Sequence, residues 1–143
     1  MDNTRPRVVV AGLRGGSGKT TLALGLIAAW QQRGGEVVPF KKGPDYIDAG
    51  WLALAAGQPC YNLDPYMMSG DQILDSFWQH TQETQGVVIE GNRGLFDGMD
   101  AEGSCSTAEL AKLLQAPVLL VVDASMVTRT AAATVLGCQH FYP

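Results

Sequence analysis

Apolar and polar residues alternate along the chain in two distinct patterns. Uninterrupted apolar runs predict buried strands at residues 8–11, 37–40, 87–90 and 117–122. Helical spacing of apolar residues predicts helices at residues 19–33, 51–57, 72–82, 108–114 and from about 129. Strands that are apolar throughout and separated by helices are typical of a parallel sheet with helices on both faces. The sequence therefore predicts an α/β fold with three layers.

The segments between these elements carry charged residues and turn formers. Residues 41–50 and 62–68 are predicted to be loops. Ser69 stands where its hydroxyl can cap the third helix. Pro39 lies inside the second apolar run, which indicates either an edge strand or a strand end at this position.

A glycine-rich loop connects the first strand to the first helix. Glycines let the backbone turn its N–H groups toward an anion, and the start of the helix adds unpaired donors and the positive end of its dipole. Lys19 is placed to reach the β- and γ-phosphates of a nucleotide, and the Thr20 hydroxyl to coordinate Mg²⁺. Five residues separate Gly12 from Gly18, one more than in the usual phosphate loop. The sequence predicts a P-loop NTPase-like domain, whose nucleotide-binding residues are Gly12, Arg14, Gly15, Gly16, Ser17, Gly18, Lys19, Thr20 and Thr21.

Carboxylates follow the predicted strands at the ends where ligands bind in a parallel sheet. Asp45 and Asp48 come after the second strand, and Glu90 and Asp97 come at and after the end of the third. A Mg²⁺ ion that bridges phosphates prefers a hydroxyl and carboxylate oxygens as ligands. Glu90 is therefore predicted to bind the metal or to position water. A functional role is also predicted for Asp45, Asp48 and Asp97, because lysines and glycines surround them.

The composition limits the class of protein. The 143 residues suffice for one domain, and 46% hydrophobic with 17% charged residues is typical of a soluble globular chain. A net charge of −4 argues against nucleic-acid binding, since no basic stripe is present. No apolar stretch approaches the roughly 20 residues of a membrane span. We expect a cytoplasmic protein without a membrane or nucleic-acid partner.

Several motifs occur in order beyond the glycine loop. They are Pro-Phe-Lys-Lys-Gly-Pro-Asp-Tyr-Ile-Asp at 39–48, Asn-Leu-Asp at 62–64, Glu-Gly-Asn-Arg-Gly-Leu-Phe-Asp-Gly at 90–98 and Asp-Ala-Ser at 123–125. Together they resemble the cobyrinic acid a,c-diamide synthase family, whose ATP-binding domain is similar to dethiobiotin synthetase. The extra residue in the phosphate loop is usual for both. The resemblance extends over residues 8–139.

The resemblance implies ATP- and Mg²⁺-dependent amidation of the a and c carboxylates of cobyrinic acid in cobalamin biosynthesis. Acyl phosphates are the implied intermediates, and ammonia from glutamine is the implied nitrogen source. Lys41 is expected to face the γ-phosphate, and Asp48 and Asp97 to act in substrate binding or activation. The implied catalytic residues are Lys19, Lys41, Asp45, Asp48, Glu90 and Asp97. The implied metal ligands are Thr20, Asp45 and Glu90.

The substrate of such an enzyme is an anionic tetrapyrrole of the corrinoid or sirohydrochlorin type. Lys42 and Arg93 are candidate contacts for its carboxylates. A homodimer is also among the expected assemblies. Members of the family continue into further synthetase residues and a glutaminase domain with a Cys nucleophile. We therefore interpret residues 1–143 as the N-terminal part of the ATP-binding amidoligase domain, with the sheet incomplete at its C-terminus and the glutaminase domain absent.

Three alternatives are open at this point. Nickel sirohydrochlorin a,c-diamide synthase shares the motifs. A partitioning-type ATPase switch would carry a signature lysine at the position of Arg14, so the arginine disfavours it. An inactive truncated fragment is the third. Dethiobiotin synthetase itself is a close runner-up in chemistry, but the loop at 43–46 argues against it.

Overall fold

The structure is a computed structural model that describes residues 5–82 and 84–142. Its strands are β1 (Arg7–Gly12), β2 (Val37–Lys42), β3 (Tyr61–Leu63), β4 (Gly86–Gly94) and β5 (Val118–Val121). Its helices are α1 (Lys19–Gln32), α2 (Ile47–Ala56), α3 (Gly70–His80), α4 (Thr107–Leu113) and α5 (Arg129–Phe141). Strands and helices alternate along the chain, as the hydrophobic pattern predicts.

The strands form one parallel sheet in the order β3-β2-β4-β1-β5. β4 lies between β1 and β2, so that Glu90 is the register partner of Val10 on one side and of Lys41 on the other. Because all strands run the same way, their carboxyl ends meet at one edge, where the glycine loop begins. The predicted α/β fold with a parallel sheet is confirmed.

Each face of the sheet carries its own apolar core. Helices α1 and α2 cover one face, where Ile27 and Leu52 pack with residues of β1, β2 and β4. Helices α3 and α4 cover the other, with Phe77 and Leu110 in its core. Successive strand residues alternate between the two cores, as the pleat of a strand requires. This alternation continues to the strand tips and decides which face each polar side chain reaches.

Residues 41–50 differ from the predicted loop. β2 continues through Lys41 and Lys42, which are both buried. α2 begins at Ile47 because the Asp45 Oδ1 accepts the backbone N–H groups of Ile47, at 2.9 Å, and of Asp48, at 3.1 Å. The loop prediction is therefore wrong for most of its length, and the predicted helix start at residue 51 is late.

β3 ends inside the segment 62–68, and the prediction of an irregular segment is wrong for its first two residues. The strand has only three residues, too few for a hydrophobic pattern. It pairs with β2 from Phe40 to Lys42. Pro39 lies inside β2 and not at its end. At this position β2 pairs only with β4, because the pairing with β3 begins at Phe40, so the missing N–H of proline is tolerated.

Ser69 caps α3 as predicted. Its Oγ accepts the Gln72 N–H at 3.3 Å, and the Gln72 side chain accepts the Ser69 N–H at 2.8 Å. Among the described residues, no helix is long and apolar enough to cross a bilayer.

Candidate nucleotide and carboxylate site

Residues 13–18 join β1 to α1 in a tight loop. Gly16 and Gly18 have φ values of 71° and 95°, in the left-handed region that favours glycine. A Cβ on Gly12 would lie 2.1 Å from the Ser17 Oγ, so the loop folds against the end of β1 at a distance that only glycine permits. The loop leads directly into the first turn of α1, whose unpaired N–H groups favour an anion. Among the predicted nucleotide-binding residues, the exposed ones are Arg14, Gly15, Gly16 and Gly18 in the loop and Thr21 in α1.

Lys19 is the first residue of α1 and is buried. Its Nζ donates to the Arg14 carbonyl oxygen at 3.0 Å, and the Ser17 hydroxyl donates to the same oxygen at 3.1 Å. Burial lowers the pKa of Lys19, a second ammonium group lowers it further, and three carboxylates oppose the shift. The structure thus brings the predicted charged residues together around Lys19. They are Lys41, Glu90, Asp48 and Asp97.

Glu90 lies at the centre of this cluster and is fully buried. Its Oε1 accepts hydrogen bonds from the Thr20 hydroxyl at 2.6 Å and from the Lys41 Nζ at 3.2 Å. The Lys41 Nζ also donates to the Gly91 carbonyl oxygen at 3.0 Å and lies 3.2 Å from the Asp48 Oδ2. The Glu90 carboxylate on β4 is therefore bonded to Thr20 on α1 and to Lys41 on β2. Through its ion pair with Asp48, Lys41 also connects the cluster to the start of α2.

The second oxygen of Glu90 fits a cation. Glu90 Oε2 is buried and has no hydrogen-bond partner within residues 5–82 and 84–142. An unpartnered buried carboxylate oxygen is unfavourable, so it points to a positive group that the chain itself does not supply. The Thr20 hydroxyl oxygen lies 2.6 Å from the other oxygen of the same carboxylate. A hydroxyl and a carboxylate, completed by phosphate oxygens and water, are the ligands that Mg²⁺ prefers.

Asp45 occupies a different position from Thr20 and Glu90. Its Oδ1 caps α2, and its surroundings are Lys41 and Asp48. Burial raises the pKa of Asp45, but the hydrogen bonds from the Asp48 and Ile47 backbones and the charge of Lys41 outweigh it and lower the pKa overall. Asp45 is therefore an ionised carboxylate at the edge of the cluster.

Asp97 and Arg14 lie on the outer side of the cluster. The Asp97 Oδ2 accepts the Gly94 N–H at 2.9 Å. The Arg14 guanidinium forms an ion pair with Asp123, which follows β5. Hydrogen bonds from Ser125 and from Arg14 lower the pKa of Asp123 to about 2. These contacts connect the glycine loop to the end of β5.

A cavity of about 300 Å³ lies next to the cluster. Lys42 lines it, whereas Lys41 points to the opposite face of β2, because consecutive strand residues alternate. Arg93 also lines the cavity, as do Asp64 and Tyr66 from the loop after β3. The sequence identified the two cations, but not Asp64 and Tyr66 as their neighbours, since β3 was not recognised as a strand.

A strand, a glycine loop and a helix, with a buried lysine and a hydroxyl beside a buried carboxylate of β4, define a P-loop-type nucleotide-binding domain. Residues 8–139 match the family described as the CobQ/CobB/MinD/ParA nucleotide binding domain, and the chain belongs to that family. The predicted nucleotide-binding class is confirmed.

Relatives of this chain are a,c-diamide synthases. It is 54% identical over 136 residues to the cobyrinate a,c-diamide synthase of Magnetococcus marinus, a match that covers 95% of this chain and 29% of the relative. It is 50% identical over 139 residues to the hydrogenobyrinate a,c-diamide synthase of Streptomyces coelicolor, covering 96% and 29%. The cobyrinate a,c-diamide synthase of Dehalococcoides mccartyi is 47% identical over 139 residues, covering 96% and 30%. The resemblance predicted from the motifs is confirmed, and the chain spans about three-tenths of the length of these curated relatives.

Proposed function

We propose that the gene product carrying this chain uses ATP and Mg²⁺ to amidate the a and c carboxylates of cobyrinic acid in cobalamin biosynthesis. The observation that carries the proposal is the convergence of Thr20 and Lys41 on Glu90 beside Lys19, at the carboxyl edge of the sheet. The identity of 54% and 50% to cobyrinate and hydrogenobyrinate a,c-diamide synthases supports the substrate class. Ammonia released from glutamine is the proposed nitrogen source, and the cytoplasm is the proposed compartment.

The chemistry requires activation of a poor electrophile. The γ-phosphoryl group moves from ATP to a substrate carboxylate oxygen, which breaks the bond to ADP and forms an acyl phosphate. Ammonia then attacks the acyl carbon, loses a proton and displaces inorganic phosphate, which leaves the amide. Phosphoryl transfer depends mainly on positioning and charge neutralisation. Two lysines of this chain supply the positive charge, Lys19 from the start of α1 and Lys41 from the end of β2.

We assign the residues of the cluster different roles according to where each side chain lies. Lys19 reaches the phosphates by exchanging its bond to the Arg14 carbonyl for bonds to them. Lys41 is the proposed contact of the γ-phosphate, and Asp48, which pairs with it, is proposed to act in substrate binding or activation. Asp97 is the proposed residue on the substrate side, because it lines the cavity and also acts on the charge of Lys19.

A Mg²⁺ ion, when bound, neutralises charge on the β- and γ-phosphates. Thr20 and Glu90 are its proposed protein ligands, since the Glu90 Oε2 is buried without a partner among the described residues. Asp45 is retained as a proposed third ligand because it is ionised beside Lys41 and Asp48.

The test is amide formation by the gene product that carries residues 1–143. It is incubated with cobyrinate, ATP, Mg²⁺ and either glutamine or ammonium, and the products are followed by mass spectrometry. We expect two successive conversions of a carboxylate to an amide, with one ATP consumed for each. Lys112→Met, which removes a charge on α4, is the control and should retain activity. ATP hydrolysis without amidation of either cobyrinate or hydrogenobyrinate would overturn the proposal.

A further inference from the structure

Lys42 is a mostly buried residue whose charge the nucleotide site does not use. Its residue is only 9% exposed, and its side chain lines the cavity beside the cluster. Within the described part of the chain, no hydrogen bond or ion pair is formed by its ammonium group. The side chain is thus packed in the cavity wall, and its ammonium group is available to a negatively charged ligand in the cavity.

The carboxylates that line the same cavity have other partners. The Asp64 Oδ1 accepts the Tyr66 N–H at 3.0 Å, and the Asp97 Oδ2 accepts the Gly94 N–H at 2.9 Å. These two side chains hold the loops that form the cavity walls. Lys42 and Arg93 bring hydrogen-bond donors only. The cavity therefore favours a ligand that brings acceptors, above all a carboxylate.

The cavity and the phosphate cluster lie on opposite sides of one strand tip. Lys41 reaches Glu90 and Asp48 on the face covered by α1 and α2. Lys42 faces the other side, where burial lowers its pKa and the charge of Asp64 opposes that shift only in part. Asp97 lines the cavity and also acts on Lys19, so the two sites adjoin. A molecule with several carboxylates on neighbouring side chains can occupy both.

We propose that this cavity binds a second carboxylate of the substrate, one that is not being phosphorylated, with Lys42 as its main counter-ion and Arg93 as a further donor. The inference rests on the proposed function, because it takes a polycarboxylate as the substrate. A volume of about 300 Å³ is at the small end of ligand pockets, so it holds one side chain and the adjacent ring edge rather than a macrocycle. Lys42 is then a specificity residue, since anchoring one side chain determines which neighbouring carboxylate lies beside Lys41.

The first experiment compares Lys42→Met with Lys42→Arg in the gene product that carries this chain. Loss of a charge-assisted hydrogen bond predicts that Lys42→Met raises the KM for cobyrinate by about 10- to 100-fold. The KM for ATP should stay unchanged, which also shows that the variant is folded. Lys42→Arg should restore most of the affinity. Lys112→Met is the matched control, with the same substitution on α4, and should leave both KM values unchanged.

The second experiment uses substrates in which a single peripheral carboxylate is converted to its methyl ester. The wild type should bind one of these esters more weakly than the free acid by about 10-fold or more, whereas Lys42→Met should bind the two equally. Such a cycle separates direct contact from a general structural effect of the substitution.

The outcomes separate this inference from the proposed function. A wild-type KM for cobyrinate in Lys42→Met, or equal discrimination among the esters by wild type and variant, would overturn the carboxylate subsite. Amidation by the wild type would still support the proposed function in that case. If the wild type amidates neither cobyrinate nor hydrogenobyrinate, the proposed function fails and the subsite fails with it.

Discussion

Lys41 and Glu90 are register partners on neighbouring strands, and the Lys41 Nζ lies 3.2 Å from the Glu90 Oε1 with both side chains almost wholly buried. A buried ion pair is tolerated when further hydrogen bonds complete it. Here Asp48 and the Gly91 carbonyl complete Lys41, and Thr20 completes one oxygen of Glu90. The pairing of β2 with β4 therefore places a compensated charge cluster at the sheet edge.

Removal of Lys41 should destabilise the fold. Lys41→Met leaves Glu90 and Asp48 without the cation that they share, and breaking a buried pair in this way costs about 3–5 kcal/mol. Urea denaturation measures the loss. The double variant Lys41→Met/Glu90→Gln removes one of the stranded charges and should recover part of it. Equal stability of the single and double variants would contradict the compensated cluster.

Lys19→Met should abolish nucleotide binding while stabilising the nucleotide-free chain. Loss of the phosphate-binding ammonium predicts a fall in ATP affinity of more than about 100-fold, measured by isothermal titration. The folded pKa of Lys19 lies below 10.5, so the unfolded chain binds the proton more tightly. The resulting penalty on the wild type is fully present at neutral pH and disappears as the pH rises to 10.5.

Thermal unfolding of Lys19→Met should therefore occur at a higher temperature than that of the wild type at neutral pH, with the difference shrinking in alkali. ATP affinity equal to that of the wild type would remove Lys19 from the phosphate loop. A lower unfolding temperature at neutral pH would show that the bond to the Arg14 carbonyl outweighs the cost of burial.

Glu90→Gln should increase the Mg²⁺ requirement of turnover. The amide keeps the shape of the side chain and an acceptor for Thr20, but it removes the charge that holds the metal. We expect half-saturation by Mg²⁺ to rise by about 10-fold or more, measured as ATP turnover against Mg²⁺ concentration. Glu109→Gln, which removes a carboxylate on α4, is the control. An unchanged Mg²⁺ dependence would assign Glu90 a structural role through Lys41.

Asp45 can be tested as a cap and as a ligand with two substitutions. Asn retains the capping oxygen, so Asp45→Asn should leave stability close to that of the wild type, whereas Asp45→Ala should lose about 1 kcal/mol. If Asp45 also binds Mg²⁺, both variants raise the Mg²⁺ requirement. An effect of Asp45→Ala on stability, with wild-type Mg²⁺ dependence in both variants, would limit Asp45 to capping α2.

Asp123 should titrate near pH 2 in the folded chain. The pKa lies below the ordinary 3.8, so the contribution of this group to stability is complete above pH 3.8 and is lost as the pH falls toward about 2. NMR titration of the carboxyl carbon measures the midpoint. Ser125→Ala should raise it more than Arg14→Gln does, because the Ser125 hydroxyl has the larger effect. The reverse order would make the ion pair to the glycine loop the dominant contact.

The elements that the sequence predicts well are those with a strong local signal. α1 follows a glycine loop and α3 carries a capping box at Ser69, and both are found where the pattern places them. β3 is not predicted because three residues are too few to show a hydrophobic period. Lys41 and Lys42 look like loop residues because the hydrophobic pattern assumes that charges lie in water. They can lie in β2 because Lys41 pairs with the carboxylates of Glu90 and Asp48, and Lys42 lines a cavity.

The geometry of the site depends on long-range pairing that residue types do not show. The motifs place Lys41 and Glu90 at strand ends, but the register of β2 on β4 makes them neighbours. Asp45 was expected with the metal ligands, whereas its backbone contacts show a capping role as well. The division between Lys41 and Lys42 also follows from alternation along a strand whose extent the sequence did not reveal.

The two consecutive lysines at the end of β2 differ only in the face of the sheet to which each side chain points. Loss or gain of one residue earlier in this strand would turn Lys42 toward Glu90 and Lys41 into the cavity, while Val38 and Phe40 would leave their core. Each face of the strand would still receive one lysine, but the apolar residues before them would lie on the wrong faces. The number of residues that precede Lys41 in β2 is thus constrained by the core positions of Val38 and Phe40 rather than by the two lysines, which are interchangeable.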